Sequence, residues 1–343
     1  MLHIRCGEDI LHKLDEAGVP GLKLSWADPL CEGPWLPVER AVARPVRARF
    51  LADGYTHDFP STLDTLAGAD EVLAGAIDED EVVLWFEHDL YDQPILAYLL
   101  TELAPLVERG VRITLVQRNA HPDVARFIGL GQLDAPALGA LFPERAEVAP
   151  TTFALAARAV EAWTAPDPSA LEALRHADPA LPYLADAIDR YLAEYPAMDT
   201  GLALSERMGL EAIAAGARTA RAVFAQVQDH ELHPWMGDAM LFARLRALAE
   251  GAAPLIRVDG AWPSMHDMES DPALALTAMG HRVLAGDADW LSVQPQERWM
   301  GGVHLRPGGV DWRWDDVQHR VFARGNLPAS PRVAEESGSD DRR

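Results

Sequence analysis

Val82 to Phe86 form an unbroken apolar run, Val-Val-Leu-Trp-Phe, which ends abruptly in Glu87-His88-Asp89 and Asp92. Five successive apolar side chains leave no polar face, so a strand built from them must be buried on both sides. A parallel sheet covered by helices meets that condition. The neighbouring pattern agrees. Apolar runs at Leu2 to Cys6, Leu22 to Trp26 and Val111 to Gln117 alternate with helical spacing at 9–18, 38–53, 61–76 and from about Asp92 to Glu108. Gly18 stops the first helix, Pro45 kinks or divides the second, and Ser61 caps the third. The fold class expected for residues 1–133 is therefore a Rossmann-like α/β sandwich with a parallel sheet. It carries no dinucleotide fingerprint, since "CGEDI" lacks GxGxxG spacing, and no GxxxxGK[ST] loop.

From about Asp134 the periodicity becomes helical, and residues 134–198 read as a helical region with prolines at its breaks. Residues 199–330 read as a winged-helix-like α+β domain. Three helices are expected there, with Thr219 and Asp238 as caps and Gly216 and Gly251 as stops, followed by two strands and a short helix. A hairpin around Pro307-Gly308-Gly309 closes the domain, and the polar residues 331–343 form a disordered tail.

Charge narrows the choice of partners. The formal charge of −23 repels phosphate backbones, which disfavours wholesale coating of DNA. In the expected groove-reading helix Asp238 and Glu250 cancel Arg244 and Arg246, so contact with a partner protein or a second copy is the favoured use of that domain. Cys6 and Cys31 stand outside any CxxC pair and read as reduced, buried thiols. No export signal and no membrane-length apolar stretch is visible, which points to a cytoplasmic chain.

Several segments, in order, resemble one bacterial family: "HIRCGED", "WADPLCEGP", "RARFLA", "LWFEHDLYDQ", "GLGQL" and "LPYLADAIDRYLAEYP". The family is domain of unknown function 1835, and "WFEHDLYDQ" is the most specific piece. The later "GLALSERMGLEAIAAG" and "LALTAMGHRVLAGDADW" are similar to the helical and winged-helix part of its long members. The resemblance implies a bacterial cytosolic protein and no particular reaction. Two departures stand out: Gly7-Glu8-Asp9 replaces the expected GDS, and Pro94 replaces a helix-favouring residue.

In an open parallel sheet, ligands bind beyond the carboxyl ends of the strands where strand order reverses. Three connections leave such ends. They carry Gly7, Glu8 and Asp9; Asp28, Glu32 and Gly33; and Glu87, His88, Asp89, Asp92 and Gln93. Arg118 follows the fourth strand. Convergence of these acids would call for a counter-charge, either an arginine or a divalent cation such as Mg²⁺ or Mn²⁺ held by Glu87 and Asp89. His88 suits a general base. The catalytic candidates are Glu87, His88, Asp89 and Asp92, and the rest would contact a small-molecule ligand. Local structure competes for the same residues: Asp89 and Asp92 stand where helix caps stand, Glu8 and Asp9 suit a helix start, and Gly7 and Gly33 suit tight turns. "GLGQL" reads as an elbow between sheet and helical region.

Overall fold

The computed structural model describes residues 1–55, 57–176, 178–262 and 269–326, so the tail expected at 331–343 lies outside the described residues. The first half contains β1 (Leu2–Arg5), α1 (Leu11–Glu16), β2 (Leu22–Ser25), β3 (Gly33–Pro34), α2 (Arg40–Tyr55), α3 (Phe59–Ala74), β4 (Glu81–Phe86), α4 (Asp92–Val107), β5 (Arg112–Gln117), α5 (Ala135–Leu141), β6 (Ala146–Glu147) and α6 (Pro150–Thr164). The second half contains α7 (Ser169–Glu172), α8 (Leu184–Leu192), α9 (Leu204–Ala214), α10 (Ala220–His230), α11 (Asp238–Leu248), β7 (Ile256–Asp259), β8 (Ala273–Leu276), α12 (Ala278–Leu284), α13 (Trp290–Val293), β9 (Arg298–Gly301), β10 (Val303–Leu305), β11 (Val310–Asp315) and β12 (Arg320–Asn326).

The fold is mixed α/β around a five-stranded sheet of order β2-β1-β4-β5-β6. Its first four strands run parallel, and β6 is an antiparallel edge. The chain leaves β1 toward β2 on one side and later returns to place β4 on the other, so strand order reverses between β1 and β4. As the apolar run requires, β4 is buried at every residue. Val82, Leu84 and Phe86 join the main core, which includes α4 and α6. Val83 and Trp85 face the opposite core, with Ile10, Leu14, Leu138 and Leu141 of the α1 and α5 segments. This is the period-two alternation of a strand, with both faces covered.

Several local expectations are corrected. Pro45 lies inside an uninterrupted α2. Ion pairs brace the helix on both sides of it: Arg40 and Arg44 reach Asp70 of α3, and Arg47 reaches Asp28. The cap of α3 is Asp58, whose carboxylate accepts from the Ser61 amide, with Pro60 just inside the helix. Gly237, not Asp238, precedes α11. The region after Asp134 is not purely helical, because β6 returns to the sheet. The segment 168–176 keeps only the four-residue helix α7. At the C-terminal end there are two hairpins, β9–β10 and β11–β12, and Pro307-Gly308-Gly309 is the turn between them. The two-residue β3 pairs with β9, which ties the loop after β2 to the far end of the chain. Helices α9, α10 and α11 precede the antiparallel pair β7–β8. Both cysteines are free and buried. Among the described residues no helix is long and apolar enough to cross a membrane.

Candidate functional site

The end of β4 turns directly into α4 through 87–91, beside the end of β1, where strand order reverses. Asp89 accepts the Asp92 amide at Oδ1, 2.9 Å, and so caps α4. Pro94 is tolerated because it falls in the first helical turn, where its missing N–H would have had no intrahelical partner. Asp92 does not cap. It turns back, and its Oδ2 accepts from the Glu87 amide at 2.5 Å and from Arg5 Nη1 at 2.7 Å. Its Oδ1 accepts from the Cys6 thiol at 2.5 Å. Arg5 Nη2 also donates to Glu87 Oε1 at 2.5 Å and to Asp9, and Gln93 Nε2 holds the Glu87 carbonyl at 2.5 Å.

Thus Glu87, Asp92 and Asp9 contact one guanidinium, with Asp89 beside Glu87 and Asp92. Glu87, Asp89 and Asp92 are buried and each offers an oxygen within 4.8 Å of the others. Asp92 has both oxygens engaged. Among the described residues no hydrogen bond reaches Oε2 of Glu87 or Oδ2 of Asp89. Burial, followed by the neighbouring Asp92, pushes the Glu87 and Asp89 carboxyls well above the ordinary carboxylate range, and Arg5 only partly opposes this. His88 is buried and its Nδ1 has no hydrogen-bond partner. Burial, with His233 4.7 Å away between ring centroids, lowers its pKa and favours the neutral imidazole. Phe127 and Tyr183 complete its aromatic surroundings.

The "GLGQL" segment proves to be more than an elbow. The Leu130 amide donates to Glu87 Oε1 at 2.5 Å. A Cβ at Gly129 would lie 2.3 Å from Glu87 Oε2, and one at Gly131 would lie 2.7 Å from Asp9 Oδ2. The loop backbone therefore packs straight onto the carboxylates, and at Gly129, where Glu87 is pinned, a side chain would have to displace the carboxylate. Lys13 Nζ latches it through the carbonyls of Gly131 and Leu133, at 2.6 and 2.9 Å.

Other candidates lie elsewhere. Asp28 is fully buried between Arg47, 2.7 Å away, and Arg40, 2.6 Å away. Burial would raise its carboxyl, but the two guanidinia prevail and hold it below the ordinary range. Glu32 pairs with Arg244 of α11 at 3.2 Å, and its burial raises its pKa against that attraction. Those two acids thus answer separate arginines and do not join the cluster. Glu8 is exposed, and among the described residues no hydrogen bond or ion pair joins its side chain to the cluster. The Arg118 guanidinium pairs with Glu144, while its backbone meets His88. Gly7 has φ +89 with nothing nearer to a Cβ than 4.0 Å, a plain turn requirement. Gly33 has φ +78 and would also drive a Cβ into Phe50 and Arg47.

Sequence reasoning missed Arg5, Cys6, His233 and the two loop glycines. An arginine within the apolar "LHIRC" run was a visible sign of a buried cation, whereas nothing near His233 signalled its position. Compared with protein-family models, curated proteins and solved structures, the chain finds no significant match.

Proposed function

We propose that this protein is a metal-assisted hydrolase or phosphotransferase acting on a phosphorylated small molecule or nucleotide in the bacterial cytoplasm. Glu87 and Asp89 are the residues that would hold Mg²⁺ or Mn²⁺, through the oxygens that no hydrogen bond engages. The observation that carries the reading is the meeting of three buried carboxylates within 4.8 Å with a single guanidinium among them. Such a site lacks positive charge, and a divalent cation restores the balance while polarising a phosphoryl oxygen. Arg5 and the Leu130 amide orient Glu87, Asp92 fixes Arg5, and neutral His88 is the nearby group suited to accept a proton. The resemblance to domain of unknown function 1835 implies no reaction, so the proposal stands on the site. Calorimetric titration with Mg²⁺, Mn²⁺ and Zn²⁺ tests it. Saturable binding that Asp89→Asn weakens at least ten-fold is expected, and absent binding or equal binding by the variant overturns it.

A second reading draws on the order of α9, α10, α11, β7 and β8, which is that of a winged helix. In that reading the chain is a ligand-sensing regulator. Arg244, the central cation of α11, is half-buried and pairs with Glu194 at 2.8 Å and Glu32 at 3.2 Å, so it is not free for a phosphate. This favours a protein partner or a second copy over DNA. A shift of genomic fragments in a low-salt gel would reverse that preference.

A further inference from the structure

Beside the carboxylate cluster lies a cavity of about 420 Å³, lined among others by Pro29, Leu51, Thr62, Leu66, Tyr91 and Met240. It sits past the carboxyl end of β2, between α2, α3 and the start of α11. We propose that this cavity seats an amino-bearing nucleobase, so that the substrate class is a nucleotide rather than another phosphorylated molecule. The inference deepens the metal-site reading and rests on it for the phosphate end alone.

Four observations carry it. The volume falls within the range of small-molecule sites, roughly 300–1,000 Å³. Among the described residues no lysine or arginine lines the cavity; its ionisable lining is His57 and Asp58, and the Asp58 carboxylate disfavours a phosphate there while a flat uncharged ring tolerates it. Thr62 and Thr65 also line it, and each hydroxyl already donates its proton, to the Asp58 carbonyl at 2.8 Å and the Ser61 carbonyl at 2.9 Å. Their lone pairs remain to accept from an exocyclic amino group. Finally, Tyr91 belongs to both places. Tyr91 lines the cavity, and it immediately precedes Asp92 in the turn that carries the carboxylates. A base on one side of Tyr91 and a metal-bound phosphate on the other is the arrangement of a nucleotide across a strand-order reversal.

The test is calorimetry on the full chain with adenosine, cytidine and uridine in the presence of EDTA. Wild type is compared with Thr62→Trp, Ala239→Trp and Asp89→Asn. Thr62 is half-buried and Ala239 exposed, on opposite walls, so a tryptophan at either can fill the cavity without entering the core. Adenosine and cytidine should bind saturably and more tightly than uridine. Either tryptophan should weaken them at least ten-fold. No saturable binding, equal binding of uridine, or unchanged affinity in both tryptophan variants overturns the proposal. Adenosine diphosphate with Mg²⁺ is the second arm: it should bind at least ten-fold more tightly than adenosine, and the gain should vanish in Asp89→Asn. Nucleoside binding without that gain strikes the metal reading while supporting the base site.

Discussion

Replacing Asp89 by Asn should stabilise the metal-free protein while weakening its hold on a cation. The residue is 6 % exposed, and Asn keeps an oxygen to accept the Asp92 amide. What changes is the charge. Oxygens of Glu87 and Asp92 lie within 4.8 Å, and two unit charges at that distance repel by at least about 3.5 kcal/mol at an effective dielectric of ~20. Arg5 offsets roughly one of the two contacts, so about 3.5 kcal/mol remains. The carboxyl escapes part of this by taking a proton, which leaves an expected gain of about 1–3 kcal/mol for Asn. The sign of the pH dependence follows. The folded-state pKa of Asp89 is raised, so its penalty is full above that value, falls as pH drops through it, and vanishes below the ordinary Asp range near ~4. Urea unfolding in EDTA should therefore show Asp89→Asn more stable than wild type at pH 8 and equal to it near pH 4. A variant less stable than wild type at pH 8 refutes the argument that the site lacks positive charge, because it would mean that the ionised carboxylate has a partner.

Three further perturbations separate the site from its supports. Gly129→Ala places a methyl group against the pinned Glu87 carboxylate and should cost about 1.5–3 kcal/mol in urea unfolding by breaking a charge-assisted hydrogen bond, whereas Gly75→Ala, with nothing within 4 Å of its Cβ, should be neutral or slightly stabilising. Asp28→Asn leaves Arg47 buried without its charge partner and should cost about 3–5 kcal/mol without changing metal affinity, read by unfolding and calorimetry together. For Glu194, burial is opposed by Arg244, Arg190 and the Ser205 hydroxyl, which hold its carboxyl at about 2. That depressed value supplies about 3 kcal/mol, fully present above the ordinary carboxylate range and lost as pH falls from about 4.5 through about 2. Glu194→Gln should lose that amount at pH 7 and converge with wild type near pH 2.

The strands, the helices between them and the parallel sheet were legible because they follow from local chemistry. A strand with five apolar residues in a row, Val82 to Phe86, has only one kind of environment open to it. The shorter elements were not legible. Two-residue β3 and β6 carry no periodicity and exist because β9 and β5 offer them partners. The PGG turn misled for a related reason: glycines announce a turn but not which strands flank it, and pairing placed the hairpins on either side.

The candidate site divides in the same way. The sequence by itself determined that Glu87, His88, Asp89 and Asp92 stand together at the end of a buried strand, since neighbours in the chain stay neighbours in space. Only the tertiary structure decided which acids share a counter-charge. Arg5 reaches Glu87 and Asp92 across more than eighty residues, Asp28 turns instead to Arg40 and Arg47, and Glu32 to Arg244. The physical reason is that a buried carboxylate takes whichever guanidinium the packing of α2, α11 or β1 brings within hydrogen-bonding distance, and that choice is set by the fold as a whole and not by spacing along the chain.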